Sequence, residues 1–157
     1  MADHSGRAVR CLTVRVLICD DEPSIRELYR FAFEQAGAEV GEAGDGNECI
    51  DTARRDHPDV IVLDLFMPDR DGLSALPELR RECPSAPVLL VSAHAGVEVF
   101  NRARALGATA CFEKIGFLRR IPQLVDRWDH PTPGDGIFYR RARSAGTADR
   151  SATKASN

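Results

Sequence analysis

The sequence has no long hydrophobic run: none of its 157 residues belongs to a stretch approaching the roughly 20 apolar residues that span a bilayer. Near the amino terminus, Arg10 and Arg15 interrupt a short apolar stretch, so a signal-peptide core is also lacking. Glycine signatures for phosphate binding, GxGxxG and GxxxxGK[ST], do not follow the first predicted strand. We therefore expect a cytoplasmic protein without membrane contacts, and a nucleotide-binding fold is not favoured.

Closely spaced pairs of cysteines are lacking as well. The five cysteines are odd in number, lie far apart and form no CxxC pair; they are Cys11, Cys19, Cys49, Cys83 and Cys111. Cys19 and Cys111 fall inside predicted strands, where a free cysteine usually acts as a small buried hydrophobic residue. The sequence therefore predicts neither a disulfide scaffold nor a zinc site.

The sequence has no large excess of charge of one sign, since the net charge is only −3. It is unevenly spread: residues 131–157 hold five basic and two acidic side chains, a net of +3, which leaves −6 for residues 1–130. That last segment has almost no aliphatic residues, so we expect a disordered basic tail at 131–157. Residues 1–12 read as a flexible polar lead, and residues 13–130 as one globular domain.

Short apolar stretches alternate with helical patterns along this domain. The predicted strands are 14–19, 38–43, 60–64, 88–91 and 109–112. The predicted helices are 23–36, 47–56, 74–83, 96–106 and one that buries Phe117, Ile121, Leu124, Val125 and Trp128. We expect Asn47 to cap the second helix and Ser74 the third, which would leave Pro77 in a first turn. Five βα units in strict alternation predict an α/β fold with a doubly wound parallel sheet, covered by helices on both faces.

The third predicted strand has the strongest pattern. Val60 to Leu63 show no polar alternation, which favours a strand buried on both faces. Asp64 follows at its carboxyl end, where open α/β sheets bind their ligands. A strand-terminal aspartate that only caps a turn is the simpler interpretation of this residue alone.

Other strands also end in chemically active side chains. Asp20 and Asp21 follow the first strand, Ser92 ends the fourth, and Lys114 follows the fifth. Each has an ordinary structural explanation, but carboxyl ends of parallel strands share one edge, so the side chains should converge. Converging carboxylates favour a hard divalent ion such as Mg²⁺, and one carboxylate would remain as a nucleophile toward phosphorus. A lysine and a hydroxyl would then hold phosphoryl oxygens.

With these residues the chain resembles the receiver domains of two-component response regulators, from about Leu12 to Trp128. The motifs that carry the resemblance are Asp20-Asp21, Asp64-Leu65-Phe66-Met67-Pro68-Asp69-Arg70-Asp71-Gly72, Ser92-Ala93 and Lys114. It implies a flavodoxin-like strand order 2-1-3-4-5. It also implies that Asp64 accepts a phosphoryl group from a sensor histidine kinase or a histidine phosphotransfer protein.

The resemblance further assigns ligands and partners. Mg²⁺ would be bound by Asp21, Asp64 and the backbone carbonyl of Phe66, with Asp20 acting through water, while Ser92 and Lys114 would hold the phosphate. Output would pass to a protein partner through the fourth helix, fifth strand and fifth helix.

Two positions depart from the family pattern. Ile115-Gly116 stand where a proline usually follows the lysine, so Gly116 could supply the turn there. Cys111 stands where an aromatic switch residue is common, so that rotamer mechanism does not carry over.

The alternative function is a Mg²⁺-dependent phosphatase of the haloacid dehalogenase type. Such enzymes need a second aspartate two residues after the nucleophile, and here Phe66 cannot protonate a leaving group. We therefore expect a regulator that is no enzyme beyond its own phosphoryl transfer and autodephosphorylation. Without a folded module in the basic tail, nucleic acid binding is not favoured.

Overall fold

The computed structural model describes residues 13–129 and contains a five-stranded sheet in which every pairing is parallel. The strands are β1 (Arg15–Cys19), β2 (Glu39–Ala43), β3 (Val60–Asp64), β4 (Val88–Ser92) and β5 (Ala110–Glu113). Their order, β2-β1-β3-β4-β5, confirms the predicted fold. The predicted flexible lead (1–12) and basic tail (131–157) lie outside the described residues.

Helices connect the strands in the predicted alternation. They are α1 (Pro23–Gln35), α2 (Gly46–Asp56), α3 (Gly72–Glu82), α4 (Val97–Ala105), α5 (Lys114–Phe117) and α6 (Ile121–Asp129). A 3₁₀ turn, Leu118–Arg120, joins α5 to α6. The sequence predicts a continuous last helix, and this turn interrupts it. Its apolar stripe is nevertheless buried from Phe117 to Trp128. No helix within residues 13–129 is long and apolar enough to cross a membrane.

Two hydrophobic layers sandwich the sheet. In β3 the side chains alternate between them: Ile61 and Leu63 pack with α2, α3 and α4, whereas Val60 and Val62 pack with α1, α5 and α6. All five residues of β3 are buried. A strand buried on both faces carries no polar alternation, which is why the sequence pattern identified it.

The predicted caps of α2 and α3 are wrong. Asp45, not Asn47, caps α2 and accepts hydrogen bonds from the backbone N–H groups of Asn47 and Glu48, both at 2.9 Å. Asp71 caps α3 and accepts a 2.7 Å hydrogen bond from the Ser74 N–H. Both helices begin earlier than predicted, at a glycine, so Pro77 lies inside α3 instead of in its first turn.

The expectation that Cys19 is a free buried thiol is also wrong. A disulfide joins Cys19, at the end of β1, to Cys49 in α2, with their Cα atoms 5.8 Å apart. Both residues are buried. Because 30 positions separate them, sequence spacing could not indicate that β1 and α2 bring them together. Cys83 and Cys111 carry free thiols.

Candidate functional site

Four sequence-predicted residues meet at the carboxyl edge of the sheet. Asp64 and Ser92 end the neighbouring strands β3 and β4, while Asp20 and Lys114 immediately follow β1 and β5. The parallel register aligns Asp64 with Val91 and Ser92 with Glu113, so these strands end at nearly the same level. The convergence inferred from strand direction is therefore present.

Lys114 bridges two buried carboxylates. Its Nζ lies 2.7 Å from Asp20 Oδ2 and 3.3 Å from Asp64 Oδ2. Asp20 and Asp64 are 2% and 4% exposed. Buried carboxylates without a cation would be strongly destabilising, so the ammonium group is what keeps both of them tolerable here.

A third carboxylate completes an acidic cluster. Asp20, Asp21 and Asp64 each contribute an oxygen, and these three atoms lie within 4.8 Å of one another. Asp21 is exposed, so the cluster opens to solvent on its side. Three hard oxygen donors around a solvent-accessible point suit Mg²⁺, which keeps several of its waters.

The electrostatics of Asp64 differ from those of a surface aspartate. Burial, followed by the nearby charge of Asp20, raises its pKa to about 6. Lys114 and a hydrogen bond from the Phe66 backbone oppose this rise. For Lys114, burial lowers the pKa, but the hydrogen bond to Asp20 and the two negative charges outweigh burial and raise it overall. Lys114 is therefore a permanent cation at neutral pH.

Ser92 brings unused hydrogen-bonding capacity to the same edge. It is fully buried, and its Oγ has no hydrogen-bond partner among the described residues. A buried hydroxyl without a partner costs free energy, so it is expected where a ligand supplies the partner. A phosphoryl oxygen is such a ligand.

The loop after β3 is held against Asp64 by a glycine. The Gly72 N–H donates to the Leu65 carbonyl at 2.9 Å, and a Cβ on Gly72 would collide with the Asp64 carbonyl oxygen. Phe66 lies in this loop and is 61% exposed. Only a residue without a side chain allows α3 to begin so close to the end of β3.

Sequence reasoning missed one residue that contacts the site. Arg26, in α1, donates from Nη1 to the backbone carbonyl of Asp20 at 2.7 Å. Arg26 is the fourth residue of α1, about one turn into the helix, where an arginine usually points to solvent, and no motif marks this one. Its contact depends on how α1 packs beside β1, which only the structure reveals.

The structure locates the two departures from the family pattern, Ile115-Gly116 after the lysine and Cys111 in β5. Lys114 begins the helical turn α5, which contains Gly116, so Gly116 supplies no separate turn; Ile115 is 86% exposed. Cys111 is half-buried, with its Sγ 3.8 Å from the Phe100 carbonyl of α4. Phe112 lies on the opposite face, 5.3 Å from the Phe117 ring.

Comparisons with known proteins agree with this geometry. Residues 16–126 match the model of the response regulator receiver domain. The chain is 47% identical over 85 residues to the probable transcriptional regulatory protein TcrX of Mycobacterium tuberculosis, covering 54% of this chain and 36% of the relative. It is 37% identical over 131 residues to the response regulator MprA of Mycolicibacterium vanbaalenii, covering 80% of this chain and 54% of MprA. The chain thus spans about a third to a half of these curated relatives.

A solved structure shares the fold. The chemotaxis protein CheY4 of Vibrio cholerae superimposes with a TM-score of 0.68 at 28% identity, covering 73% of this chain and 98% of CheY4. Strand order, acidic cluster, lysine and family match all agree, and the chain belongs to the response regulator receiver domain family.

Proposed function

We propose that the chain accepts a phosphoryl group on Asp64 and thereby switches a signalling pathway. The supporting observation is the setting of Asp64: a buried carboxylate at a strand end, 3.3 Å from the Lys114 ammonium, within a three-carboxylate cluster. With a pKa of about 6, Asp64 is mostly ionised at neutral pH and able to act as a nucleophile.

The donor is the phosphohistidine of a sensor kinase or of a histidine phosphotransfer protein. An Asp64 carboxylate oxygen attacks phosphorus, the phosphorus–nitrogen bond breaks with its electron pair, and the departing imidazole nitrogen takes up a proton. The product is an aspartyl phosphate. Lys114 and the unpartnered Ser92 hydroxyl then bind phosphoryl oxygens, because this chemistry depends on positioning and charge neutralisation.

The acidic cluster fits Mg²⁺. Asp21, Asp64 and the Phe66 carbonyl would bind the ion directly, and Asp20 would act through water. Bound magnesium would neutralise negative charge on the phosphoryl group. In the metal-free protein, Lys114 balances the negative charges of Asp20 and Asp64.

We further propose that output passes to a protein partner in the cytoplasm, through the surface of α4, β5 and the fifth predicted helix, which the structure divides into α5, the 3₁₀ turn and α6. Phosphate at Asp64 draws in Ser92 at the end of β4, and β4 neighbours β5 in the sheet. The half-buried Cys111 links β5 to α4 through the Phe100 carbonyl, so a shift of β5 would be felt in α4.

The test uses acetyl phosphate with Mg²⁺ and intact-protein mass spectrometry. The parent chain should gain one phosphate, and Asp64→Asn should gain none. Asp69→Asn is the matched control, since Asp69 lies in the same loop, is exposed, and has a positive φ of 64° that asparagine tolerates. Equal labelling of Asp64→Asn and the parent would overturn the proposal.

A further inference from the structure

Arg26 reaches from α1 to the backbone of the acidic segment. Its Nη1 donates to the Asp20 carbonyl at 2.7 Å, and its Nε lies 3.5 Å from Glu42 Oε1 in β2. The Arg26 side chain is only 21% exposed. Glu42 also pairs with Arg30, at 3.1 Å from its Nη1. Glu42 of β2 therefore fixes the Arg26 side chain, and Arg26 in turn fixes the backbone of the turn between β1 and α1.

The other polar groups of Asp20 already have partners. Its N–H donates to the Ala43 carbonyl at 3.1 Å, its Oδ1 accepts from the Glu22 N–H at 3.0 Å, and its Oδ2 pairs with Lys114. The carbonyl that Arg26 binds belongs to the peptide group between Asp20 and Asp21. Because a peptide group is planar, holding its oxygen also sets the direction in which the chain continues to Asp21.

The position of Asp21 depends on this peptide group more than the position of Asp20 does. It is the exposed member of the acidic cluster, and α1 begins at Pro23 without a side-chain cap on its first turn. The backbone of Asp20 is tied to β2, but the orientation of the next residue rests on the turn itself.

We propose that Arg26 is a positioning residue for the metal site: by binding the Asp20 carbonyl, it keeps the Asp21 carboxylate at the cluster. This rests on the proposed function, in which the cluster binds Mg²⁺. Mg²⁺ binding is tighter when the carboxylates of the cluster are held in place beforehand, since magnesium tolerates little departure from octahedral geometry and ordering them on binding costs free energy.

Charge and position predict opposite effects of removing Arg26. Loss of a cation near three carboxylates should by Coulomb attraction alone tighten Mg²⁺ binding. Loss of the carbonyl contact should weaken it, because Asp21 would then have to be ordered on binding. The sign of the change therefore separates a positioning residue from a nearby charge.

The experiment is calorimetric titration of MgCl₂ into the metal-free chain, for the parent, Arg26→Gln and Arg30→Gln. Arg30→Gln is the matched control: it removes the same charge from the same helix and from the same Glu42, without touching the Asp20 carbonyl. We expect Arg26→Gln to raise the Mg²⁺ dissociation constant about fivefold to tenfold, the size of one ordinary net hydrogen bond, because only part of the lost contact energy is recovered when Asp21 is ordered by the ion. Arg30→Gln should stay within about twofold, and Arg26→Lys should recover part of the loss.

Two further readouts guard against a merely structural role. The Asp21 amide resonance of the metal-free protein should shift in Arg26→Gln and not in Arg30→Gln, because that N–H shares its peptide group with the carbonyl that Arg26 binds. With acetyl phosphate, saturating Mg²⁺ should restore the phosphorylation rate of Arg26→Gln, with the half-saturating concentration raised by the same factor. Should Arg26→Gln fail to fold, Arg26→Lys replaces it: it keeps the charge but not the guanidinium geometry, so a rise of about twofold to threefold in the dissociation constant can come only from the weakened carbonyl contact.

Unchanged or tighter Mg²⁺ binding by Arg26→Gln, or equal weakening in Arg30→Gln, would overturn the role of Arg26. A parent chain that binds no Mg²⁺ at millimolar concentration would instead overturn the proposed function.

Discussion

Lys114 lies closer to Asp20 than to Asp64: its Nζ is 2.7 Å from Asp20 Oδ2 and 3.3 Å from Asp64 Oδ2. The cation of the site is thus shared, with its shorter contact to the carboxylate that we do not assign as phosphoacceptor. A buried ion pair of this kind contributes little net stability, but its disruption leaves an uncompensated buried charge. The metal-free fold should therefore depend strongly on Lys114.

Lys114→Met should lower the free energy of unfolding of the metal-free protein by about 3 kcal/mol, because Asp20 and Asp64 would lose their common cation. Mg²⁺ should then stabilise this variant more than it stabilises the parent, since the ion takes over the neutralising role. Thermal melts across a Mg²⁺ series check both expectations. Arg119→Met, at an exposed arginine nearby in sequence, is the control; similar losses in the two variants would contradict the shared-cation interpretation.

Asp64→Asn should stabilise the metal-free fold at neutral pH. Folding raises the Asp64 pKa from 3.8 to about 6, so between these values the native state binds more protons than the unfolded state. The free energy of unfolding therefore falls as pH rises through this window, and the cost is fully present above pH 6. The destabilisation caused by the ionised, buried Asp64 carboxylate is on the order of 3 kcal/mol. Urea unfolding of parent and variant should agree near pH 4 and diverge toward pH 7; a constant difference would rule out this origin.

Ser92→Ala should separate stability from phosphoryl transfer. Removing a buried hydroxyl that has no partner should stabilise the metal-free fold by about 1 kcal/mol. The same change should slow phosphorylation by acetyl phosphate, because a donor to the phosphoryl oxygens is lost. Denaturant melts and labelling kinetics measure the two effects, with Ser85→Ala at an exposed turn as control. A destabilised variant would mean that the hydroxyl is bonded in solution.

Cys49→Ala should be costly. The disulfide to Cys19 closes a chain separation of 30 residues, and its loss should lower the free energy of unfolding by roughly 3 to 4 kcal/mol in the loop-entropy model. Cys83→Ala, at a free thiol in the same hydrophobic layer, should cost less. Peptide mapping without reductant should recover residues 19 and 49 as one linked fragment. Complete alkylation of both thiols in the unreduced, denatured chain would contradict the bond.

The sequence predicted the parallel sheet because the alternation of strands and helices depends on strong local patterns, whereas the strand order 2-1-3-4-5 came from the family resemblance. The unbroken apolar stretches of β3 and β4 and the strict alternation with amphipathic helices allow few other folds. Convergence of Asp20, Asp64, Ser92 and Lys114 followed from strand direction alone, since parallel strands all end at one edge.

What the sequence could not predict depends on distances between elements. The Cys19–Cys49 bond and the Arg26 contact both require knowing how α1 and α2 pack beside β1. The caps at Asp45 and Asp71 were missed because Asn47 and Ser74 are equally acceptable capping residues, and only backbone geometry decides between them.

The most direct test of the central claim is to locate the phosphate itself. After incubation with acetyl phosphate and Mg²⁺, borohydride reduction converts an aspartyl phosphate to homoserine, and peptide mass spectrometry identifies its position. We predict homoserine at residue 64 alone, and none when Mg²⁺ is removed by chelation. Homoserine at Asp20 or Asp21, or none at position 64 in the parent chain, would contradict the assignment of Asp64 as the phosphoacceptor.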